Sequence, residues 1–226
     1  LGPLCQGRTP SELACIRVAD IACGSGAFLL AAYEYLHNYF LDWYLKDGVD
    51  QHSDKLYEKP SAQWHLTLRE KRRILLEHIF GVDIDPHAAD ITRLGLLLKI
   101  LEDENRATAE AYSEEQGNRI LPDLRKNVQC GNTLVDSNYF NYCPDALTSS
   151  DAFSQINPFN WEEQFPEILE EGGLDAIIGN PPYTRIQNMV HYSPREVQYY
   201  QSEISPYECA QSDNFDKYAL FIERAL

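Results

Sequence analysis

The residues with the clearest chemical potential are Asn180-Pro181-Pro182-Tyr183. They set an amide side chain, proline-held main-chain carbonyls and an aromatic face side by side. Proline fixes φ at about −65° and donates no N–H, so this stretch is stiff and rich in acceptors. Such groups suit a planar base that carries an exocyclic amino group. Taken alone, the same residues read equally well as a proline-rich turn with a packing tyrosine. Their surroundings carry more weight. Leu174 to Ile178 is a short apolar run bounded by Gly172-Gly173 and Gly179, which predicts a buried strand. A stiff loop at the carboxyl end of a buried strand is where open α/β sheets hold ligands.

Three more strand ends with polar or glycine residues precede this one. Ile16 to Ile21 predicts a strand with Asp20 near its end. Ala22-Cys23-Gly24-Ser25-Gly26-Ala27-Phe28 then predicts a turn, and Leu29 to Leu45 a long helix. Strand, glycine turn and helix form the first unit of a Rossmann-like fold, in which the backbone approaches a ligand closely at a helix start. Dinucleotide sites require a third glycine. Here that place falls on Phe28 or Leu29, which disfavours NAD or FAD and favours a smaller ligand, such as the amino-acid end of S-adenosylmethionine. The other reading of Gly24 and Gly26 is a tight turn without a ligand. Ile79 to Val82 predicts a second strand, ending in Asp83-Ile84-Asp85-Pro86, with Pro86 in the first turn of a helix over 88–101. Asp83 suits ribose hydroxyls and Asp85 a helix N-cap, unless both only cap the helix. Asn127 to Cys130 predicts a third strand. Asn132 follows it, suited to an adenine ring or its amino group and equally to a turn.

The elements that must position these residues predict an α/β fold: an open, mostly parallel sheet with helices on both faces. Residues 46–66 and 136–158 read as insertions and 103–126 as polar linker. Leu68 to His78 predicts a basic amphipathic helix whose charges form a solvated face. A helix is expected over 160–171 with Asn160 as N-cap, and an irregular, tyrosine-rich stretch over 184–213 that overhangs the site. An amphipathic helix is expected over 215–226.

Composition bounds the function. Hydrophobic residues at 44% and charged residues at 24% fit a soluble globular chain, with no apolar run approaching a membrane span and no signal peptide. The six cysteines form no C-x-x-C pair, so neither a zinc site nor a disulfide framework is expected, and a reducing cytosol is the default. A net charge of −16 lacks the basic footprint of a nucleic-acid-binding domain. With the abrupt ends of the sequence, it suggests a piece of a longer protein whose basic surface lies elsewhere.

Together, Asp20-Ile-Ala-Cys-Gly-Ser-Gly-Ala-Phe-Leu29, Gly81-Val-Asp-Ile-Asp-Pro86 and Ile178-Gly-Asn-Pro-Pro-Tyr183 resemble the S-adenosylmethionine-dependent adenine-N6 DNA methyltransferases of restriction-modification systems. The nearest group includes large Type IIG restriction-modification proteins and related phage-defence methylases. The resemblance covers most of residues 16–226. The usual proline after Asp20 is replaced by Ile21, a mild departure, and the family's target-recognition domain and later catalytic motifs are absent. It implies a methyltransferase domain over 1–226 acting on a flipped adenine in DNA, with DNA held through regions outside these residues. It implies cofactor contacts from Asp20, Ala22, Gly24, Gly26, Asp83, Ile84 and Asn132, and base contacts from Asn180, Pro181, Pro182 and Tyr183. Neither a metal nor a covalent intermediate is needed. Rival readings are a protein-glutamine or RNA-base methyltransferase and a non-catalytic cofactor-binding scaffold. The sequence does not specify the oligomeric state.

Overall fold

The computed structural model describes residues 1–104, 120–145, 155–212 and 215–226. After a one-turn helix, α1 (Gly2–Cys5), the fully buried strand β1 (Val18–Asp20) lies within a parallel sheet. On one side it pairs with β4 (Ile79–Asp83), which in turn pairs with β5 (Val128–Cys130); on the other side it pairs with β6 (Ala176–Ile177). The order β5-β4-β1-β6 reverses direction at β1, so a crevice opens beyond the carboxyl ends of β1 and β6. This is the expected α/β architecture.

Helix α2 (Ala27–Asp47) returns from β1, and α4 (Pro86–Leu101) returns from β4. Along α2, Leu29, Tyr33, Leu36, Phe40 and Tyr44 recur at helical spacing and are buried against the sheet and against α3 (Leu68–His78). Among the described residues, no helix is long and apolar enough to cross a membrane.

Five expectations are corrected. First, β6 is an edge strand among the described residues, not a buried one: Ala176 is half-buried and Ile177 is 36% exposed. An apolar run shows that a strand meets a core, but not that it has partners on both edges. Second, residues 46–66 are more than an insertion loop. They close α2, form a 3-10 turn over Val49–His52, and build a hairpin of β2 (Leu56–Glu58) and β3 (Trp64–Leu66), with Leu56 opposite Leu66 and both buried.

Third, the charges of α3 form a solvated face only in part, at exposed Arg69. Glu70 and Lys71 are buried. Lys71 Nζ lies 2.6 Å from Glu104 Oε1 and donates to the Glu102 carbonyl at 2.9 Å. Arg73 pairs with Glu70 and Glu77, while Glu70 also accepts from the Tyr44 hydroxyl at 2.7 Å. Fourth, the expected helix over 160–171 is two short ones, α6 (Trp161–Gln164) and α7 (Pro166–Glu170), after a one-turn α5 (Tyr139–Tyr142). Pro166 lacks an N–H and forces Phe165 out of the helical region, to φ −131 and ψ 52. Asn160 does cap α6, accepting from Glu162 N at 3.1 Å.

Fifth, much of 184–212 is regular. Helices α8 (Ile186–Tyr192) and α9 (Pro194–Tyr200) bury Tyr199 and Tyr200, while Tyr207 is buried beyond them. These rings pack with Ile21, Leu134 and Val135 at the strand ends, and with Leu220 and Phe221 of α10 (Lys217–Ala225). Tyrosine composition suggested an irregular overhang, yet tyrosine can bury its large ring in a core and give its hydroxyl an acceptor. Tyr207 finds one in the Leu134 carbonyl, at 2.8 Å. Most of the 103–126 linker and much of 136–158 lie outside the described residues.

The Lys71–Glu104 pair separates the two readings of α3. Lys71→Ala should cost about 3–5 kcal/mol in urea unfolding, because it strands a buried carboxylate. A solvated lysine would change stability by only about 0.5 kcal/mol.

Candidate active site

The site is built from backbone turns held by carboxylates. β1 ends at Asp20, which is 2% exposed, and the Ala22 N–H donates to Asp20 Oδ1 at 3.0 Å. The chain then crosses to the neighbouring strand. Cys23 N–H donates to the Val82 carbonyl at 3.0 Å, and Gly24 N–H to Asp83 Oδ2 at 2.7 Å. Thr92 of α4 donates its hydroxyl to the Gly24 carbonyl at 2.9 Å. Gly26 starts α2 at φ +80, and a Cβ there would lie 2.7 Å from Thr92 Cγ2. The turn therefore needs glycine for both its conformation and its packing. At Gly24 an added Cβ would meet nothing within 4 Å, so this part of the loop opens onto free space.

Asp83 holds the second turn as well. Its Oδ1 accepts from Asp85 N–H at 2.9 Å, and Asp85 caps α4 by accepting from His87 N–H at 2.9 Å. The N-cap reading of Asp85 thus describes the structure. Asp83 has two N–H donors and still faces the cavity at the sheet end; an ionised carboxylate has about four acceptor sites.

Asn132 is 3% exposed and both ends of its amide have partners. Oδ1 accepts from Leu134 N–H and Nδ2 donates to Glu196 Oε1, each at 3.2 Å. It is a turn asparagine by geometry and a cavity-wall residue by position. Glu196 also receives Lys217 Nζ at 2.8 Å and the Tyr200 hydroxyl. Burial alone would raise the Glu196 carboxyl, but the Lys217 ammonium and the two neutral donors hold it below the usual range.

The last wall comes from β6. Gly179 has φ +154, and a Cβ there would lie 2.5 Å from Asp20 Oδ1, so the strand leaves the sheet directly over that carboxylate. Asn180 and Pro182 line the cavity. Tyr183 is 73% exposed, donates its hydroxyl to Asn180 Oδ1 at 3.0 Å and stacks on Tyr218 with ring centroids 5.3 Å apart.

The cavity measures about 320 Å³ and gathers Asp83, Ile84, Asn132, Asn180, Lys217 and Phe221, with Ala22 and Pro182. Of the residues singled out in the sequence, Ala22, Asp83, Ile84, Asn132, Asn180 and Pro182 meet there. Gly24 and Gly26 form the adjoining loop, Asp20 lies buried beside Gly179, and Pro181 and Tyr183 stand outside the lining. Sequence reasoning missed Thr92, Glu196, Lys217 and Phe221. Thr92 had a faint signal: a hydroxyl at a helix position between buried Ala89 and Leu96. A larger cleft of about 550 Å³ lies near Arg17, Glu77 and Asn127, at the amino ends of the strands. That is the wrong end for a ligand site in a parallel sheet, and Arg17 there is paired with Glu171.

The profile of the Eco57I restriction-modification methylase family matches residues 77–226. The chain is 36% identical over 222 residues to the type II restriction enzyme and methyltransferase RM.Eco57I of Escherichia coli, covering 98% of this chain and 19% of that protein. It is 23% identical over 177 residues to the adenine-specific methyltransferase PglX of Streptomyces coelicolor, covering 76% and 12% respectively. It also aligns with the solved structure of a nuclease-deletion mutant of the Type ISP restriction-modification enzyme LlaGI in complex with a DNA substrate mimic. There the identity is 16%, the TM-score 0.46, and the coverage 97% of this chain and 15% of that one. The chain thus spans about a fifth or less of the length of these relatives.

Burial beside Gly179 makes Asp20 titratable near neutrality. It pushes the carboxyl from 3.8 up to about 6, with the Ala22 N–H opposing the rise and the Asp83 charge adding to it. The folded protein therefore holds this proton more tightly than the unfolded one. The Asp20 contribution to stability is greatest below pH ~4 and declines as pH rises to ~6, by about 3 kcal/mol in all. Asp20→Asn keeps an acceptor for Ala22 and should abolish this decline. Urea unfolding of both proteins between pH 4 and 7.5 reads it, and parallel curves would show that Asp20 ionises as an ordinary surface carboxylate.

Proposed function

Because the chain belongs to the Eco57I restriction-modification methylase family, we propose that it transfers a methyl group from S-adenosylmethionine to the N6 amine of an adenine flipped out of DNA. The observation that carries this reading is the junction of β6 with the cavity: the Asn180 amide stands in the cavity wall while hydrogen-bonded to an exposed, ring-backed Tyr183.

The residues present fit the cofactor. A buried Asp20 carboxylate, the open turn at Gly24 and an acidic Asp83 beside an apolar Ile84 suit a ligand with cationic and hydroxyl-bearing parts. In this reading Asp20, Ala22, Gly24 and Gly26 hold the amino-acid end, Asp83 the ribose hydroxyls, and Ile84 and Asn132 the adenine. When bound, S-adenosylmethionine supplies an electrophilic methyl carbon on a sulfonium centre.

The chain's own contribution is to make a poor nucleophile adequate. The lone pair of an aromatic amine is delocalised into its ring. Asn180 Oδ1 and the Pro181 carbonyl accept the two amine hydrogens, which favours a pyramidal nitrogen and directs its lone pair. Those hydrogen bonds strengthen as positive charge builds on nitrogen, so they act mainly in the transition state. Tyr183 stacks on the extruded base, offsetting part of the few kcal/mol that flipping costs. The charge of −16 offers no strong attraction for duplex phosphates, so DNA affinity is assigned to segments beyond these 226 residues.

Two measurements test the proposal. By calorimetry the chain should bind S-adenosylmethionine and not NAD, and Asp83→Ala should weaken binding by about 1–3 kcal/mol. NAD affinity without S-adenosylmethionine binding would defeat the cofactor assignment. In the full-length protein, Asn180→Ala should slow single-turnover methylation of adenine DNA a hundred- to thousand-fold, about 2.7–4 kcal/mol, with cofactor affinity nearly unchanged. Tyr183→Phe should be mild, and Tyr183→Ala should lose about 1–3 kcal/mol of stacking. Full rate in Asn180→Ala would leave the loop a purely structural turn. Labelled methyl appearing in RNA or protein instead of DNA would change the substrate class.

A further inference from the structure

We infer that Tyr218 is a positioning residue for the target base: it covers one face of Tyr183, fixes that ring, and leaves only the opposite face for the flipped adenine. This rests on the methyltransferase reading above. The two tyrosines are 35 positions apart in sequence, but their backbones are locked together. Lys217 N–H donates to the Thr184 carbonyl at 2.8 Å, and Ile186 N–H donates to the Phe215 carbonyl at 3.1 Å. Arg185 and Asp216 form an antiparallel bridge between these bonds. The start of α10 is thus registered against the exit of the Asn180–Tyr183 loop, and α10 is anchored by buried Leu220 and Phe221.

The rings are parallel within 20° and 5.3 Å apart between centroids. That is one stacking distance, whereas a base inserted between them would need two. Intercalation is excluded without moving α10, so the base uses the free face. An aromatic ring that is 73% exposed would otherwise sample several rotamers, and ordering it would oppose base binding. Two restraints remove that freedom: the Tyr183 hydroxyl bond to Asn180 sets the ring's tilt, and Tyr218 blocks rotation toward α10. The same restraints keep Asn180 and the stacking face in fixed relation, so amine and ring are aligned by one unit.

The test uses the full-length protein and DNA with 2-aminopurine at the target position, a base that brightens when flipped and dims when stacked on tyrosine. Methyl transfer is measured in parallel on adenine DNA. Tyr218→Ala and Tyr218→Leu should slow single-turnover transfer about tenfold or more. They should leave cofactor affinity and melting temperature near wild type and make flipped 2-aminopurine brighter. Tyr218→Phe, which keeps the face and loses only the hydroxyl, should match wild type in rate and emission. Unchanged rate and emission in both Ala and Leu variants would overturn the inference, as would a Phe variant as slow as Ala. A uniform loss of cofactor binding and stability, with emission unchanged, would mark a structural role and also overturn it. Failure of the underlying reading is distinguishable: wild type itself would then transfer no methyl to adenine DNA.

Discussion

The hydrogen bond from Gly24 N–H to the Asp83 carboxylate is the constraint on which the rest of the site depends. It joins the turn after β1 to the end of β4, two segments 59 positions apart in sequence. The other Asp83 oxygen takes the Asp85 N–H, so one side chain shapes both turns on that side of the crevice. Thr92 completes the arrangement by binding the Gly24 carbonyl from α4. Each bond ties a backbone group of a turn to one of two side chains, so Asp83 and Thr92 set the turn geometry. A ligand bound there would meet a preformed surface, with little ordering cost left.

The other side of the crevice is built from an unfavourable feature. Asp20 is a nearly inaccessible carboxylate with Ala22 N–H as its one hydrogen-bond donor among the described residues. Gly179 presses on it where any side chain would collide. Burying a charge with so little compensation lowers stability, and such arrangements concentrate where function requires them. The Asn180–Tyr183 loop is placed by this contact: the strand passes over Asp20, turns at a positive φ, and delivers the amide to the cavity wall.

Much of this was legible in the sequence because strand ends announce themselves. Glycines at 24, 26 and 179, acids at 20, 83 and 85, and the prolines at 86, 181 and 182 each have local reasons to be where they are, and those reasons survive folding. What stayed hidden depends on long-range partners. Nothing near Lys71 in sequence indicates that it finds Glu104, 33 positions away, and becomes buried. Glu196 meets Asn132 across 64 positions. The tyrosines of 199–207 read as an irregular overhang because composition does not report which distant apolar groups a ring will pack against. The hairpin at 56–66 was missed for the same reason, since its one buried leucine pair forms only across the turn.

The carboxylate of Glu196 has a consequence for how the molecule comes apart. It gathers Asn132 from the turn after β5, Tyr200 from α9 and Lys217 from α10 onto one buried oxygen. Of these partners only Asn132 comes from the sheet end; Tyr200 and Lys217 belong to the same helical layer as Glu196. Lifting the layer as a whole would break the Asn132 bond and keep the ion pair, whereas separating α9 from α10 would strand a buried carboxylate. The two helices should therefore open together, as a single foldon, and their amides should exchange with solvent through one shared opening. Within this layer the unit of cooperativity is drawn by one side chain.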